Sequence, residues 1–394
     1  MAAKKKPISS GKKIQSSNGE VPKGRRAVII GGVRTPFVRA FGEFMLLDTI
    51  ALAGVATKAL LDKTQVPRSE LDGIVWGGVI LPTLSPNIAR EVALDLKLPA
   101  GVEGYTVTRA CASGLQAITD AVSAIERGDA DVLIAGGSDS TSNAAVALPN
   151  KAVHALAPLA FGKAKGMQDY LGVLSQLMPI TDILPAMPKI AERTTGEVMG
   201  ESAEKMARRN GVTRQEQDAL AARSHRLAAA AVSSGRFESE VIPVETSKGW
   251  VHADTIIRGD TSEEKLAKLR PVFAKDGTVT AGNATPLTDG ASCILLMSEE
   301  KAEALGFTGL AAFRSWSYVG VDPTDQLLIG PAIAMPRALE RAGLELGDVD
   351  LVDIHEAFAA QVLSVTKAME SKAFSEERLG RSTAVGTIDD SKFN

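Results

Sequence analysis

A cysteine and a histidine of this 394-residue chain stand where side chains can do chemistry. Cys111 lies among small residues in TRACASGLQ (108–116), where a predicted strand gives way to a predicted helix. The free N–H groups of a helix N-terminus stabilise a thiolate, and such a setting lowers the cysteine pKa from about 8.5. A free cysteine is also a small, usually buried hydrophobe. The local residues therefore leave a nucleophile and a packing residue as open interpretations of Cys111.

His355 lies in IHEAF (354–358), directly after the apolar run VDLVDI, and we expect it at the carboxyl end of a strand. Ligands of open α/β sheets bind at such ends, where a neutral histidine can donate a hydrogen bond as part of an oxyanion hole. A hydrogen-bonded histidine at a turn is the alternative. Cys293, in ASCILLM, is predicted to lie in the core. His154, His225 and His252 lack the spacing of metal ligands, so no zinc site is predicted.

Alternating strands and helices are predicted to position these residues. Strands are expected at 27–33, 73–80, 106–111 and 131–137, and a helix at 113–130 that ends near Gly128. Its apolar stripe comprises Leu115, Ile118, Ala121, Val122 and Ile125. This order predicts an α/β fold with a mostly parallel sheet covered on both faces.

Residues 146–270 interrupt that rhythm with prolines, an apolar stretch (YLGVLSQLMPITDILP) and helices around 200–234. The apolar stretch favours a helix buried against a partner or its own domain over one that lies on a membrane surface. Segments 65–79 and 343–358 share a pattern of helix end, acidic turn and short apolar strand. The pattern indicates two halves of related topology.

Composition excludes several classes of protein. The aromatic content of 4% and the net charge of −3 argue against nucleic-acid binding, and no apolar run is long enough to cross a membrane. Neither GxGxxG nor GxxxxGK[ST] is present. The two cysteines fit a reducing compartment. Residues 1–26 carry eight Lys/Arg and one acid, which indicates a disordered basic leader rather than a mitochondrial presequence.

Three stretches taken together carry a family resemblance: TRACASGLQAI, GTVTAGNATPLTDGA and DLVDIHEAFAAQ. The chain resembles the thiolase superfamily over essentially its whole length after residue 26. The stretches HEAFAAQ, MGESAEKMARRNGVTRQEQDALAARSH and DDSKFN resemble the fatty-acid-oxidation 3-ketoacyl-CoA thiolases that form the β-subunit of a trifunctional complex.

The resemblance implies a duplicated α/β fold in αβαβα layers, with an inserted loop domain. It divides the chain into the leader 1–26, an N-terminal half 27–145, the loop domain 146–270, return strands 271–300 and a C-terminal half 301–394. It makes Cys111 the acylated nucleophile and lets His355 hold a water that stabilises the thioester oxyanion. It places CoA against Met199, Arg258, Ala281 and Thr285, with Arg258 at the nucleotide phosphates.

The implied reaction is thiolytic cleavage of 3-oxoacyl-CoA in β-oxidation, with CoA as co-substrate, no further cofactor and no metal. The resemblance also implies a homodimer or larger assembly, a hydratase/dehydrogenase α-subunit as a partner, and peripheral membrane contact by the loop domain. Neither nucleic-acid binding nor a transmembrane span is expected. The weak presequence favours the bacterial cytoplasm over the mitochondrial matrix.

One departure from the family pattern leaves alternative interpretations of the function. Family members continue past DDSKFN to a Gly-His-Pro motif and a second reactive cysteine, whereas this sequence ends at Asn394. General acid–base groups are worth roughly 10²–10⁴-fold in rate. We therefore expect either further residues beyond Asn394 or an inactive subunit that binds acyl-CoA or serves as a scaffold. A ketosynthase-type condensing enzyme is a third interpretation, and the HEAF and AGNAT stretches weigh against it.

Overall fold

The computed structural model describes residues 24–146, 148–184 and 191–394. The predicted leader is therefore described only at its end, where Arg25 is anchored. The Arg25 Nε donates to the Ile125 carbonyl at 2.7 Å, and its guanidinium pairs with Asp131. For residues 1–23 the leader stays a prediction.

Nine strands and twelve helices are formed by the described residues. The strands are β1 (Ala27–Arg34), β2 (Val38–Arg39), β3 (Gly73–Gly77), β4 (Glu103–Val107), β5 (Val132–Ser140), β6 (Val244–Thr246), β7 (Gly249–Val251), β8 (Thr288–Ser298) and β9 (Ala311–Ala312). The helices are α1 (Thr49–Thr64), α2 (Ile88–Asp95), α3 (Ser113–Arg127), α4 (Asn150–Ala160), α5 (Met167–Gln176), α6 (Met199–Arg209), α7 (Arg214–Ser233), α8 (Glu263–Leu266), α9 (Glu299–Ala304), α10 (Pro331–Ala342), α11 (Ala359–Glu370) and α12 (Lys372–Phe374).

The main sheet has the strand order β4-β3-β5-β8-β1-β9, and β2 pairs with β8. Strands β4 and β5 run parallel to β3, but β8 runs antiparallel to both β5 and β1. The predicted parallel arrangement is therefore confirmed for β1, β3, β4 and β5, which share one direction, and the sheet departs from it at β8. The reason is that β8 returns to the sheet only after the long interruption and enters between β5 and β1 in the opposite direction.

Helices cover both faces of this sheet, as the alternation of side chains in its strands requires. Ile74 and Trp76 of β3 pack into the cluster that contains α1 and α2, whereas Val75 packs against α3. The predicted stripe of α3 is largely confirmed, because Ala121, Val122 and Ile125 are fully buried there. Leu115 is the exception, since half of it is exposed.

The two predicted strands that precede Cys111 and His355 differ from the structure. The strand expected at 106–111 ends at Val107, so Cys111 lies in the turn between β4 and α3. The apolar run before His355 forms only an isolated bridge between Val352 and Phe393. His355 therefore does not stand at the end of a strand; the segment instead uses Val352 and Ile354 to pack against α10 and α11.

Helices from the middle and the C-terminal part of the chain form a second, mainly helical body. Helices α6, α7 and α11 pack together around Met206, Val362 and Val365, all of which are fully buried. Helices α4 and α5 contact each other and leave several large apolar side chains exposed, among them Phe161, Met167, Leu171 and Leu174. Within the described ranges, no helix is both long enough and apolar enough to cross a membrane.

Candidate functional site

Cys111 is exposed in a tight turn that precedes α3 by two residues. The turn is fixed by Ser113, whose Oγ accepts from the Arg109 N–H at 2.8 Å and donates to the Ala110 carbonyl at 2.7 Å. Ala110 has a φ of 44°, in the left-handed region that costs a non-glycine residue about 1 kcal/mol. Strained backbone of this kind occurs preferentially at functional sites. The surrounding structure therefore holds Cys111 in one exposed position at a helix N-terminus.

Contacts from β3 and from the second half of the chain fix the start of α3. A Cβ on Gly77 of β3 would lie 2.4 Å from the carbonyl of Ser113, so only glycine permits this close approach. On the other side, the Arg109 guanidinium lies 4.4 Å from the centre of the Tyr318 ring. The Tyr318 hydroxyl is 2.7 Å from the hydroxyl of Thr119 on α3. The nucleophile candidate is thus placed by β3 and by the segment of Tyr318, in addition to its own turn.

Cys293 occupies the opposite environment. Only 2% of it is exposed in β8, and burial strongly raises the pKa of its thiol. The prediction that Cys293 is a core residue is confirmed.

His355, Arg258 and Thr285 come together around one cavity of 270 Å³. They reach it from three loops that are far apart in the sequence, and α7 forms the remaining wall. Ala281 lies next to this cavity, between Thr280 and the lining residue Gly282. Met199 begins α6 and is not part of the lining, and neither is Cys111. The structure therefore groups three of the six sequence-predicted residues directly and a fourth by adjacency.

His225 of α7 is a cavity residue that the sequence analysis considered only as a metal ligand. The Arg258 backbone N–H donates to its Nδ1 at 3.2 Å, and the Arg258 guanidinium lies 3.3 Å from its Nε2. Burial lowers the pKa of His225 below 6.5 and the Arg258 charge lowers it further, against the smaller opposing effect of Asp260. Both effects favour the neutral imidazole. Sequence spacing carries no signal for this pair, because its members are 33 residues apart.

The loop that carries His355 is joined to the loop that carries Thr285. The Thr285 N–H donates to the Ala357 carbonyl, and the Ala359 N–H donates to the Asn283 carbonyl, both at 3.0 Å. Glu356, beside His355, accepts from the Ser224 hydroxyl of α7 at 2.5 Å. The two loops and α7 thus form one connected wall. Across the ranges that the structure describes, no group of three or more His, Cys, Asp or Glu side chains is placed to hold a metal ion.

Comparisons with known proteins relate the chain to one family. The family described as "Thiolase, N-terminal domain" matches residues 27–300, and "Thiolase, C-terminal domain" matches residues 307–387. A 3-ketoacyl-CoA thiolase of Aliivibrio fischeri is 43% identical over 374 residues, which are 94% of this chain and 84% of that protein. One of Pseudoalteromonas translucida is 41% identical over 378 residues, 95% of this chain and 86% of that protein.

Solved structures also match the chain over most of its length. Human mitochondrial 3-ketoacyl-CoA thiolase in complex with CoA matches with a TM-score of 0.76 and 30% identity, covering 94% of this chain and 84% of that one. The acetyl-CoA acetyltransferase of Bacillus anthracis matches with a TM-score of 0.75 and 34% identity, covering 93% of this chain and 88% of that one.

Proposed function

The chain belongs to the thiolase family, and we propose that it catalyses the thiolytic cleavage of 3-oxoacyl-CoA by CoA, which yields acetyl-CoA and a shortened acyl-CoA. The observation that carries this proposal is the exposed Cys111 in a strained turn at the N-terminus of α3. The relatives named 3-ketoacyl-CoA thiolase supply the substrate class. The activity is that of an acyltransferase in fatty-acid β-oxidation.

Cys111 carries the covalent step. Its thiolate adds to the 3-keto carbon, and the bond between carbons 2 and 3 of the substrate then breaks. The acyl group stays on Cys111 as a thioester, while the electron pair leaves with acetyl-CoA as an enolate that takes up a proton. The thiol of a second CoA gives up its proton and attacks the thioester, which releases the shortened acyl-CoA and regenerates the Cys111 thiolate. Covalent catalysis thereby splits a difficult carbon–carbon cleavage into two easier steps.

The cavity residues bind and orient the thioester in this proposal. His355, exposed at the cavity, holds a water against the oxyanion. Arg258 is the fixed cation for the nucleotide phosphates of CoA. Thr285 and Ala281 line the path of CoA, and Met199 contributes from the start of α6. CoA is the co-substrate, and no other cofactor is proposed.

The test is a single-turnover experiment with 3-oxoacyl-CoA followed by mass spectrometry of the protein. We expect one acyl group on the peptide that contains Cys111, release of acetyl-CoA, and loss of both in the Cys111→Ala variant. Cys293→Ala is the matched control, because it removes a thiol that the solvent does not reach. An acyl group on another residue, or acetyl-CoA release by Cys111→Ala, would refute the proposal.

The assignment of Arg258 predicts a specific change in substrate recognition. Arg258→Ala removes the cation that meets the nucleotide, so we expect the KM for CoA substrates to rise about tenfold or more. The KM for a short pantetheine thioester, which lacks the nucleotide, stays unchanged. Arg314→Ala, an arginine outside the cavity lining, is the control. An equal loss with both substrates would remove Arg258 from the CoA site.

We also propose the assembly and location that are expected from the sequence. These are a homodimer or higher oligomer, a hydratase/dehydrogenase α-subunit as a partner, the bacterial cytoplasm, and peripheral membrane contact. The exposed apolar side chains of α4 and α5 support the membrane contact. Sedimentation with anionic lipid vesicles tests it: Phe161→Ser together with Leu171→Ser is expected to reduce the bound fraction, and an unchanged fraction contradicts it.

A further inference from the structure

Two buried carboxylates accept hydrogen bonds from the loop 278–285, and the proposed mechanism uses neither of them. Glu204 of α6 and Asp218 of α7 are each only 3% exposed. Glu204 accepts from the Thr278 N–H at 2.8 Å and from the Val279 N–H at 2.9 Å. Buried carboxylates are costly unless they are paired and hydrogen-bonded. Both therefore require an explanation beyond packing, and the loop that they hold adjoins the cavity.

Asp218 reaches that loop through Asn283. One of its oxygens accepts from Arg214 Nε at 2.7 Å, and the other accepts from Asn283 Nδ2 at 2.9 Å. The Asn283 side chain is 3% exposed, and its Oδ1 accepts from the Thr280 N–H at 2.8 Å. Because the oxygen and the nitrogen of this amide each have a buried partner, the side chain is held in one orientation. This orientation in turn fixes the position of the loop backbone.

The same Asn283 binds the loop that carries His355. Its backbone carbonyl accepts from the Ala359 N–H, and two residues later the Thr285 N–H donates to the Ala357 carbonyl, both at 3.0 Å. His355 is two residues before Ala357 in this loop, and its cavity is also lined by Asn283 and Thr285. A shift of Asn283 must therefore shift the backbone next to His355.

We propose that Asp218 is a positioning residue that sets the location of His355 through Asn283. Its ion pair with Arg214 fixes the carboxylate on α7, the carboxylate orients the Asn283 amide, and the Asn283 backbone fixes the register of the 355–359 loop. The link between this register and turnover rests on the proposed function, whereas the link between Asp218 and the two loops does not.

The experiment compares Asp218→Ala, Asn283→Ala and the double variant in the whole chain. Hydrogen exchange reports on the amides of Thr285 and Ala359, which bridge the two loops. We expect these amides to exchange about tenfold faster in each single variant, because a hydrogen bond that supports them is lost. The kcat for thiolysis falls roughly tenfold to hundredfold, the usual effect of displacing a catalytic group by about 1 Å. The double variant is no worse than Asn283→Ala, since both changes act through one link.

Asp289→Ala is the matched control for loss of a buried carboxylate. Asp289 is fully buried in β8 and accepts from the Ser142 N–H at 3.0 Å, outside the cavity wall. This variant is expected to lower Tm without changing loop exchange or kcat. A residue that only stabilises the fold would behave in the same way, so this comparison separates the two roles.

The outcomes of this comparison decide the inference. Loop exchange in Asp218→Ala that matches Asp289→Ala, or additive effects in the double variant, overturns it. If Asp218→Ala fails to fold, Asn283→Ala keeps the Arg214–Asp218 pair and carries the same test from the other side of the link. If the unmodified protein cleaves no 3-oxoacyl-CoA, the proposed function fails, while the exchange measurement still decides the positioning role.

Discussion

The two thiols of the chain differ through their surroundings alone. Cys111 faces solvent at the start of α3, whereas Cys293 lies in the middle of β8, where burial strongly raises the pKa of its thiol. A cysteine reacts as the thiolate, so a buried thiol with a raised pKa is inert at neutral pH. The solvent access that acyl transfer needs is therefore available at Cys111 and absent at Cys293.

Thiol labelling tests this difference. With a sub-stoichiometric amount of iodoacetamide at pH 7, we expect the peptide containing Cys111 to be modified at least about tenfold faster than the peptide containing Cys293. In the Cys111→Ser variant, we expect labelling of Cys293 only after denaturant exposes it. Peptide mass spectrometry measures both rates, and preferential modification of native Cys293 would contradict the assignment.

At the scale of elements, the closeness of β3 to α3 determines where Cys111 stands. Gly77 lies against the backbone of Ser113 and Gly114, at distances that exclude any Cβ. The first turn of α3 therefore packs directly against β3, and this contact also fixes the position of the turn that carries Cys111. A glycine used for close approach has a different role from one used for its conformational freedom.

Gly77→Ala is expected to push α3 away from β3. Overpacking of this kind costs about 1–3 kcal/mol, which should appear as a lower free energy of unfolding in urea. It should also slow acylation of Cys111, because the turn moves with the helix. Gly54→Ala is the control: no atom lies within 4 Å of its added Cβ in α1, so we expect a gain of about 0.5–1 kcal/mol. Equal stability of the two variants would contradict the contact.

At the scale of the whole molecule, an ion pair connects the two family domains. Lys367 of α11 lies 2.9 Å from Glu216 of α7. Glu216 also caps its own helix by accepting from the Thr213 N–H at 2.6 Å. This backbone hydrogen bond, followed by the one from Lys367, lowers the pKa of Glu216 from 4.5 to about 2.

The lowered pKa of Glu216 predicts a pH-dependent contribution to stability. Because the carboxyl ionises more easily in the folded state, the contribution is present above pH 4.5 and is lost as the pH falls towards 2. Solvent screens the pair, since 40% of the Glu216 side chain is exposed. We therefore expect Glu216→Gln to lose about 1 kcal/mol at pH 7 and clearly less at pH 2, where about half of the folded carboxyl is protonated. Urea unfolding at both pH values measures this, and a loss that does not change with pH would contradict it.

Local pattern was sufficient for the elements that carry their own periodicity. The stripe of α3, its end at Gly128 in the left-handed conformation and the buried runs of β1 and β5 follow from neighbouring residues. The apolar surroundings of Cys293 predicted its burial in the same way. The Cys111 and His355 stretches could be singled out from their neighbouring residues, but the roles predicted for them came from the family resemblance. Each of these features depends on residues within a few positions of one another.

Tertiary structure decided everything that depends on separated segments. The antiparallel entry of β8, the exposure of Leu115 and the irregular backbone before His355 are set by packing between distant parts of the chain. The same holds for the cavity, where His225, Arg258, Thr285 and His355 meet. Hydrophobic periodicity states which face of an element is buried, but it does not state against which partner. Burial and hydrogen bonding across the whole fold decide which partner it is. The link between Asp218 and Asn283 could therefore be found only in the tertiary structure.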